Sequence, residues 1–493
     1  MNEQNKIQFA YKCRAFLAEQ SLASLRSFGR AIGVVSPTSR KKGDLIHEIV
    51  GILTEDIRPQ ERSGRGAPVL DDRTDVKIVE EIERLKHEYY APAKTDISSN
   101  KSASTRLLEE LEKRQLKLVF QETPSNNSAE QRVFRGQLAT LNGVSFVLPL
   151  DYMKDEEKML LAIEFIRSYA LKEGDILTCS VNKNGEVIVV TKIQEINGVS
   201  PDYFTRKAHF ETADVCYPIG KIRVYNPTSS SSLTAKYMDW VVPFGRGHRG
   251  LIVAPPKTGK TNFLEKVATG VASANKDVTT LVLLLNQSPE EIGQFRKVIP
   301  ADSLVYATYE DVPERQVFVA ECILKRAKRL AECGQDVVLI VDSFNALAHA
   351  YNETDESSGG KMLPCGLESK TLHYIKKFFG AARCLEVGGS LTILGAVSNA
   401  TGNPADDLIA TELSSICNLE IRLKEDLATK RLFPAVDDDS LYVKFNETGS
   451  YGEPEVLTLL RNLHASSSNF DILSILERAS SYEEFIQNLR KNF

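Results

Sequence analysis

The sequence predicts a multidomain chain: a small N-terminal helical unit, a compact β-barrel, and a C-terminal α/β domain built on a parallel sheet. Three observations carry this. Apolar residues near the start recur at helical spacing. Between residues 132 and 202, short alternating strands are separated by Asn-Gly and Gly-Asp turns. Beyond residue 236, continuous apolar strands alternate with helical stretches, and the first strand runs into a phosphate-binding loop. The 493 residues suit two to four domains at roughly 100–200 residues each. With 42% hydrophobic and 26% charged residues the composition is that of a globular protein. A net charge of −5 excludes a wholly basic nucleic-acid coat but not a local basic groove. No apolar run approaches the ~18 residues of a membrane helix, and Met1–Gln20 mixes charges into its apolar residues, unlike a secretion signal. Eight cysteines lie apart, with no C-x-x-C pair and no zinc spacing, which predicts reduced thiols, a cytoplasmic location and no membrane partner.

The helical unit is expected over residues 1–58. Leu22, Leu25, Phe28 and Ile32 form one apolar stripe, and Leu45, Ile46, Ile49 and Ile52 a second. The basic turn Thr38–Gly43 between them is either a solvated turn or a contact for a phosphate backbone, and this segment alone favours the first. Residues 59–131 read as a linker or insertion, with polar, small-residue stretches around candidate helices at 76–88 and 106–118.

Residues 132–202 hold strands at Phe134–Leu141, Val144–Leu148, Ile176–Val181 and Val187–Ile193. Asn142-Gly143, Gly174-Asp175 and Asn184-Gly185 separate them. Four or five short strands in so little chain suit a small barrel of the oligonucleotide-binding or cold-shock-like kind. Such a barrel stacks bases on exposed aromatic rings, and Phe146 is the candidate. That Phe146 simply fills the barrel is an equal alternative.

A connector, 203–235, leads to the α/β domain, 236–493. Its buried strands are expected at Gly250–Ala254, Thr279–Leu285, Leu304–Thr308, Val337–Asp342 and Ser390–Val397, with helices such as Lys260–Ala274 and Pro313–Cys333 between them. Ala254-Pro-Pro-Lys-Thr-Gly-Lys-Thr261 fits G-x-x-x-x-G-K-[ST] with Ala254 for the first glycine. Gly259 lets the backbone approach phosphates, the amides of the helix start cradle them, Lys260 neutralises β/γ oxygens, and the Thr261 hydroxyl ligates Mg²⁺. Asp342, ending an apolar strand, is the carboxylate expected to orient the metal. The cofactors implied are ATP and Mg²⁺.

Phe244–Thr261 as a whole, Phe378-Phe-Gly-Ala-Ala-Arg383, Gly388-Gly-Ser-Leu-Thr392 and Lys430-Arg-Leu-Phe-Pro-Ala435 closely resemble bacterial transcription termination factor Rho, over nearly the whole chain except 59–131. The resemblance implies a RecA-like ATPase domain, a homohexameric ring, single-stranded RNA in its channel, and RNA-dependent ATPase and helicase activity. It implies that Gly245, Arg246, Gly247, His248, Arg249 and Gly250 line the nucleotide approach, and that Lys257, Thr258, Gly259, Lys260, Thr261 and Asn262 hold the phosphates. It further implies that Phe433 packs on adenine, that Arg431 reaches the phosphates of a neighbouring subunit's ATP, and that Lys361 remains in a channel loop.

The departures from the family are specific. Where it carries Asp-Glu-Arg-Pro-Glu-Glu, with the Glu positioning water, this chain has Asn286-Gln287-Ser288-Pro289-Glu290-Glu291. Gln287 takes the catalytic position without a carboxylate, and Ser288 the nucleotide-contacting position without a charge. The arginine finger of Ser-Gly-Thr-Arg becomes Tyr451, and the lysine of Thr-Gly-Ser-Lys becomes Pro404. Two arginines after the Asp-Ser pair become Ala346 and His349. In the barrel, Gly-Phe-Gly-Phe-Leu-Arg becomes Gly143-Val144-Ser145-Phe146-Val147-Leu148. The preferred expectation is a Rho-like protein that binds ATP and RNA as a ring but hydrolyses slowly. The alternatives are an active RNA-dependent translocase using Glu290 or Glu291 as base, and a regulatory subunit co-assembling with a paralogous Rho. RNA polymerase is the other macromolecular partner implied.

Overall fold

A computed structural model describes parts of residues 13–53 and then residues 132–491, except 142, 153–157, 185–186, 228–231, 355–361, 445–454 and 467–471. The expected linker 59–131, with its two helices, lies outside the described residues, as do Lys361 and Tyr451.

The N-terminal unit contains α1 (Leu22–Ile32) and α2 (Lys42–Leu53). Their stripes meet in a core that includes Leu25, Phe28, Leu45 and Ile49. At the turn between them Arg40 pairs with Glu48 at 3.3 Å, so that arginine is neutralised within the unit.

The barrel is formed by β1 (Arg132–Leu141), β2 (Val144–Pro149), β3 (Met159–Leu160), α3 (Ile163–Ser168), β4 (Ile176–Asn184) and β5 (Val187–Ile196). The strands close in the order β1-β2-β3-β5-β4, with β1 antiparallel to both β2 and β4. Gly143 makes the tight β1–β2 turn at φ +77°, where a side chain would be strained. The period-two alternation sorts the side chains. Leu138, Val147, Leu161 and Leu177 fill the barrel. Ala139, Phe146, Leu148 and Leu150 face outward and are buried together with the core of the α/β domain. This corrects both readings of Phe146. At 7% exposure its ring neither fills the barrel nor presents a face to a base.

After the barrel come β6 (Val215–Cys216), β7 (Ile219–Ile222), α4 (Leu233–Trp240), β8 (Phe244–Arg246), β9 (Arg249–Ala254), α5 (Lys260–Ala274), β10 (Val278–Gln287), α6 (Pro289–Phe295), β11 (Leu304–Thr308), α7 (Pro313–Glu332), β12 (Asp336–Asp342), α8 (Phe344–Thr354), α9 (Ser369–Phe379), β13 (Arg383–Leu385), β14 (Ser390–Ser398), α10 (Pro404–Ser414), β15 (Leu419–Arg422), α11 (Glu425–Thr429), β16 (Tyr442–Val443), α12 (Glu455–Ser466), α13 (Ile472–Arg478) and α14 (Tyr482–Arg490). The main sheet runs β11-β10-β12-β14-β9-β15-β16. It is parallel from β11 to β15, with β16, β13 and β6 added antiparallel at its margins. Strands such as Leu281–Leu285 and Val337–Val341 are buried on both faces, as helices on each side of a parallel sheet require. Every parallel strand therefore points its carboxyl end to the same edge, where such sheets bind ligands.

The barrel is clamped to α7 by charge. Glu332, fully buried, receives Lys172 at 3.2 Å, Arg206 at 3.1 Å and Arg329 at 3.2 Å, and Arg206 also pairs with Asp175. Gly174, at φ +97°, lies so close to α7 that a β-carbon would stand 2.5 Å from the Lys325 carbonyl. Among the described residues no helix is long and apolar enough to cross a membrane.

Candidate functional site

β9 ends at Ala254, and the chain crosses Pro255–Thr258 before α5 begins at Lys260. Lys257 takes φ +64° and Gly259 φ +84°, turning successive amides toward one side of the loop. Thr258 is buried and donates from its hydroxyl to the Pro255 carbonyl at 2.8 Å, which holds the loop shut on itself. α5 has no side-chain N-cap. Its first-turn amides thus lack the partner that Ser288 or Asn403 supplies to other helices here, and this is the arrangement that receives a phosphate. Asn262 follows on the exposed side of that first turn.

Two further strand ends complete the site. Asp342, fully buried at the end of β12, accepts from the Thr261 hydroxyl at 2.8 Å and pairs with the Lys260 ammonium at 3.0 Å. Lys260 also lies 3.4 Å from the Ser398 hydroxyl at the end of β14. The donor set of a Thr hydroxyl and a carboxylate, both oxygen, suits a hard cation such as Mg²⁺. Phe433, 47% exposed, stands over the loop, and a β-carbon on Gly259 would lie 3.0 Å from its ring. Glycine here is therefore required twice, by φ and by the ring. Arg431 is exposed two residues earlier, with φ +58°.

Gln287 closes β10 next to a β-bulge, with Asn286 at φ +58°, and is largely buried. Ser288 is the N-cap of α6, in a reciprocal capping box with Glu291. The Glu291 carboxylate is thus engaged with the Ser288 amide at 3.4 Å, which argues against it as a substitute base. Glu290 is exposed at the helix start, where its own backbone amide and Ser288 hold its carboxyl below the usual range.

Six of the expected residues lie away from this chain's own phosphate loop. Gly245, Arg246, Gly247, His248, Arg249 and Gly250 surround the amino end of β9, whereas the phosphate loop leaves its carboxyl end. The four residue steps of strand from Gly250 to Ala254 separate them by about 13 Å at ~3.3 Å per residue. These residues build the floor of the sheet. Arg246 pairs with Asp336 at 2.6 Å at the start of β12, Gly247 donates its amide to the Thr392 hydroxyl at 2.8 Å, and Arg249 donates to the Ile416 carbonyl at 2.8 Å. His248 is fully buried, accepts at Nδ1 from the Gly245 amide at 2.9 Å, and is driven down to about 4 by burial.

One network escaped the sequence reading. The Asn345 amide bridges the Ser398 backbone, donating to its carbonyl at 3.0 Å and accepting from its amide at 2.6 Å. It also donates to Asp406 at 2.7 Å. Asp406 in turn accepts from Thr401 at 2.7 Å and meets His349 Nε2 at 3.0 Å. A chain of hydrogen bonds thus runs from Lys260 to the loop 401–404. The sequence pointed to His349 and to the loop at Thr401–Pro404 only as departures from the family pattern, with nothing to join them to Asn345 or Asp406.

These features define a phosphate-loop ATPase domain of the RecA-like class, and residues 234–440 match the family described as "ATP synthase alpha/beta family, nucleotide-binding domain". The chain is 35% identical over 326 residues to transcription termination factor Rho of Bacillus subtilis, covering 65% of this chain and 75% of that protein. It is 31% identical to Rho of Karelsulcia muelleri, covering 69% and 92%, and 35% identical to Rho of Escherichia coli K12, covering 65% and 76%. The chain belongs to the transcription termination factor Rho family.

Proposed function

We propose that this chain is a cytoplasmic, ring-forming member of the Rho family that binds Mg-ATP and single-stranded RNA and hydrolyses ATP slowly. The observation that carries the reading is the contrast within one site. Lys260 and Thr261 both engage Asp342 beside the phosphate loop, the first by an ion pair and the second by a hydrogen bond, while Gln287 ends β10 with no carboxylate and Ser288 and Glu291 are committed to capping α6. Lys260 would hold the β/γ oxygens, Thr261 and Asp342 the Mg²⁺, and Phe433 the base above Gly259. The metal, when bound, supplies charge neutralisation. Gln287 can orient a water through a hydrogen bond but cannot take its proton, and a tyrosine at position 451 brings no guanidinium to a neighbouring site. An arginine finger is worth about 10³–10⁵ in rate.

The test is steady-state phosphate release with saturating pyrimidine-rich RNA. The expected result is tight ATP binding with turnover far below one per second, raised by the triple change Gln287→Glu, Ser288→Arg, Tyr451→Arg more than by any single change. The three act as a unit, so the triple is the fair comparison. Turnover of several per second in the unaltered protein, the ordinary range for phosphoryl-transfer motors at about 1–100 per second, would replace this reading with an active terminator.

A further inference from the structure

A basic groove lies at the floor of the sheet. Two adjoining cavities, of about 220 and 670 Å³, share Arg249, Asn418 and Lys444. The smaller adds Arg383 and Tyr217, and the larger adds Lys377 and Tyr442. In a chain of net charge −5, no carboxylate lines either cavity among the described residues.

The two arginines are held in place without a counter-charge. Arg249 donates to the carbonyls of Ile416 at 2.8 Å and Ala382 at 3.3 Å. Arg383 donates to the Gly380 carbonyl at 3.4 Å, and its guanidinium lies 5.0 Å from the centre of the Phe210 ring. Burial, with the Arg383 cation beside it, depresses Arg249 below the usual guanidinium range. Half-buried cations facing one another without a carboxylate are costly unless an anion arrives. Two exposed aromatic rings flank them. Tyr217 is 59% exposed beneath the Lys444 ammonium, and Tyr442 is 49% exposed on the edge strand β16. Guanidinium forks match phosphate oxygens, and open rings beside cations are what stacked bases need.

We propose that this groove at the amino ends of β9 and β15 binds the phosphate groups of single-stranded RNA, with Arg249 and Arg383 as the phosphate fork, Lys377 and Lys444 on the rim, and Tyr442 as a stacking platform. The proposal rests on the RNA-binding reading above. It gives that reading a surface which the buried Phe146 face of the barrel cannot supply.

The rim residues are exposed, so changing them spares the fold, and none belongs to the ATP site. Fluorescence anisotropy with a 5′-labelled 12-nucleotide oligouridylate is the direct measurement. Lys377→Glu/Lys444→Glu is expected to weaken binding at least tenfold and to flatten the log-affinity against log-salt slope by about 1.4, at ~0.7 per phosphate contact. Tyr442→Ala is expected to weaken it roughly fivefold or more, while ATP affinity stays unchanged in both. In a second arm, calorimetry with inorganic pyrophosphate is run on the Lys260→Ala background, which silences the phosphate loop. If the wild type binds the oligouridylate and the double variant binds it equally, the groove is wrong and RNA binds elsewhere. If no RNA binds but pyrophosphate heat is lost in the double variant, the phosphate site stands with a small ligand and the RNA reading falls. Loss of neither signal, or binding of an oligo-glutamate peptide in their place, overturns the proposal.

Discussion

Lys260 and His248 carry opposite lessons about single residues. The Lys260 ammonium is held by Asp342 at 3.0 Å at the start of the helix that follows the phosphate loop. Lys260→Ala removes the charge on the β/γ oxygens and leaves Asp342, fully buried, without a cation. Charge-assisted hydrogen bonds are worth ~1.5–3 kcal/mol each, so ATP affinity is expected to fall at least about a hundredfold by calorimetry. This residue was legible because its neighbours in sequence are its neighbours in space. His248 was misplaced for the converse reason. It belongs to the same continuous motif, but an extended strand carries the chain across the sheet between the two. Its neutral ring, held down to about 4 by burial, makes a different prediction. The unfolded chain takes up a proton near pH 6.5 and the folded one does not, so stability is full above pH 6.5 and lost as pH falls toward 4. The gap corresponds to roughly 3 kcal/mol. Urea midpoints measured from pH 7 to pH 4.5 should fall in the wild type and fall less in His248→Gln. Parallel curves for the two would remove the histidine as the cause.

At the scale of elements, the hydrophobic pattern located most of the α/β domain. β9, α5, β11 and β12 run close to the expected bounds because runs such as Val337–Val341 have only one environment they can occupy. The chain's pattern could not report which partner covers an outward barrel face, since Phe146 reads the same beside RNA, the barrel interior or another domain. Nor could it report the charges that join elements far apart in sequence. Glu332, the last residue of α7, gathers Lys172 and Arg206 from the barrel side and Arg329 from its own helix, with the Phe210 amide donating to it at 2.9 Å. Glu332→Gln leaves the arginines without that carboxylate, although Asp175 still faces Arg206. Removing one member of a buried ion group costs about 3–5 kcal/mol, and the surviving Asp175 places this change near the lower figure. The expected signature is a lowered thermal midpoint that Arg206→Met does not lower further when added to Glu332→Gln. Additive losses would show that the two do not form one group.

For the whole molecule, the burial of the β2 outer face links the barrel to the motor domain. Phe146, Leu148 and Leu150 share one apolar core with Leu283, Leu339 and Ile393 of the main sheet. The family pattern has an arginine and a second aromatic on this face. Here Leu148 and Val144 occupy those places, with Leu148 buried and Val144 packed against the same core. A face that has exchanged charge for apolar area and shares a core with the main sheet is suited to seal a domain junction. The two roles separate cleanly under one substitution. If Phe146 seals the junction, Phe146→Ala costs about 3–5 kcal/mol as a core cavity does, lowers the unfolding midpoint of the barrel and ATPase domain together, and leaves RNA affinity nearly unaltered in the remaining folded protein. If Phe146 stacks a base, the same change leaves stability within about 0.5 kcal/mol, as for exposed positions, and weakens RNA binding by the ~1–3 kcal/mol of a lost stack. Denaturation followed by tyrosine fluorescence, with anisotropy on the same preparation, reads both quantities. The buried ring predicts the first pattern, and a protein of unchanged stability with weakened RNA binding would return the barrel face to the nucleic acid.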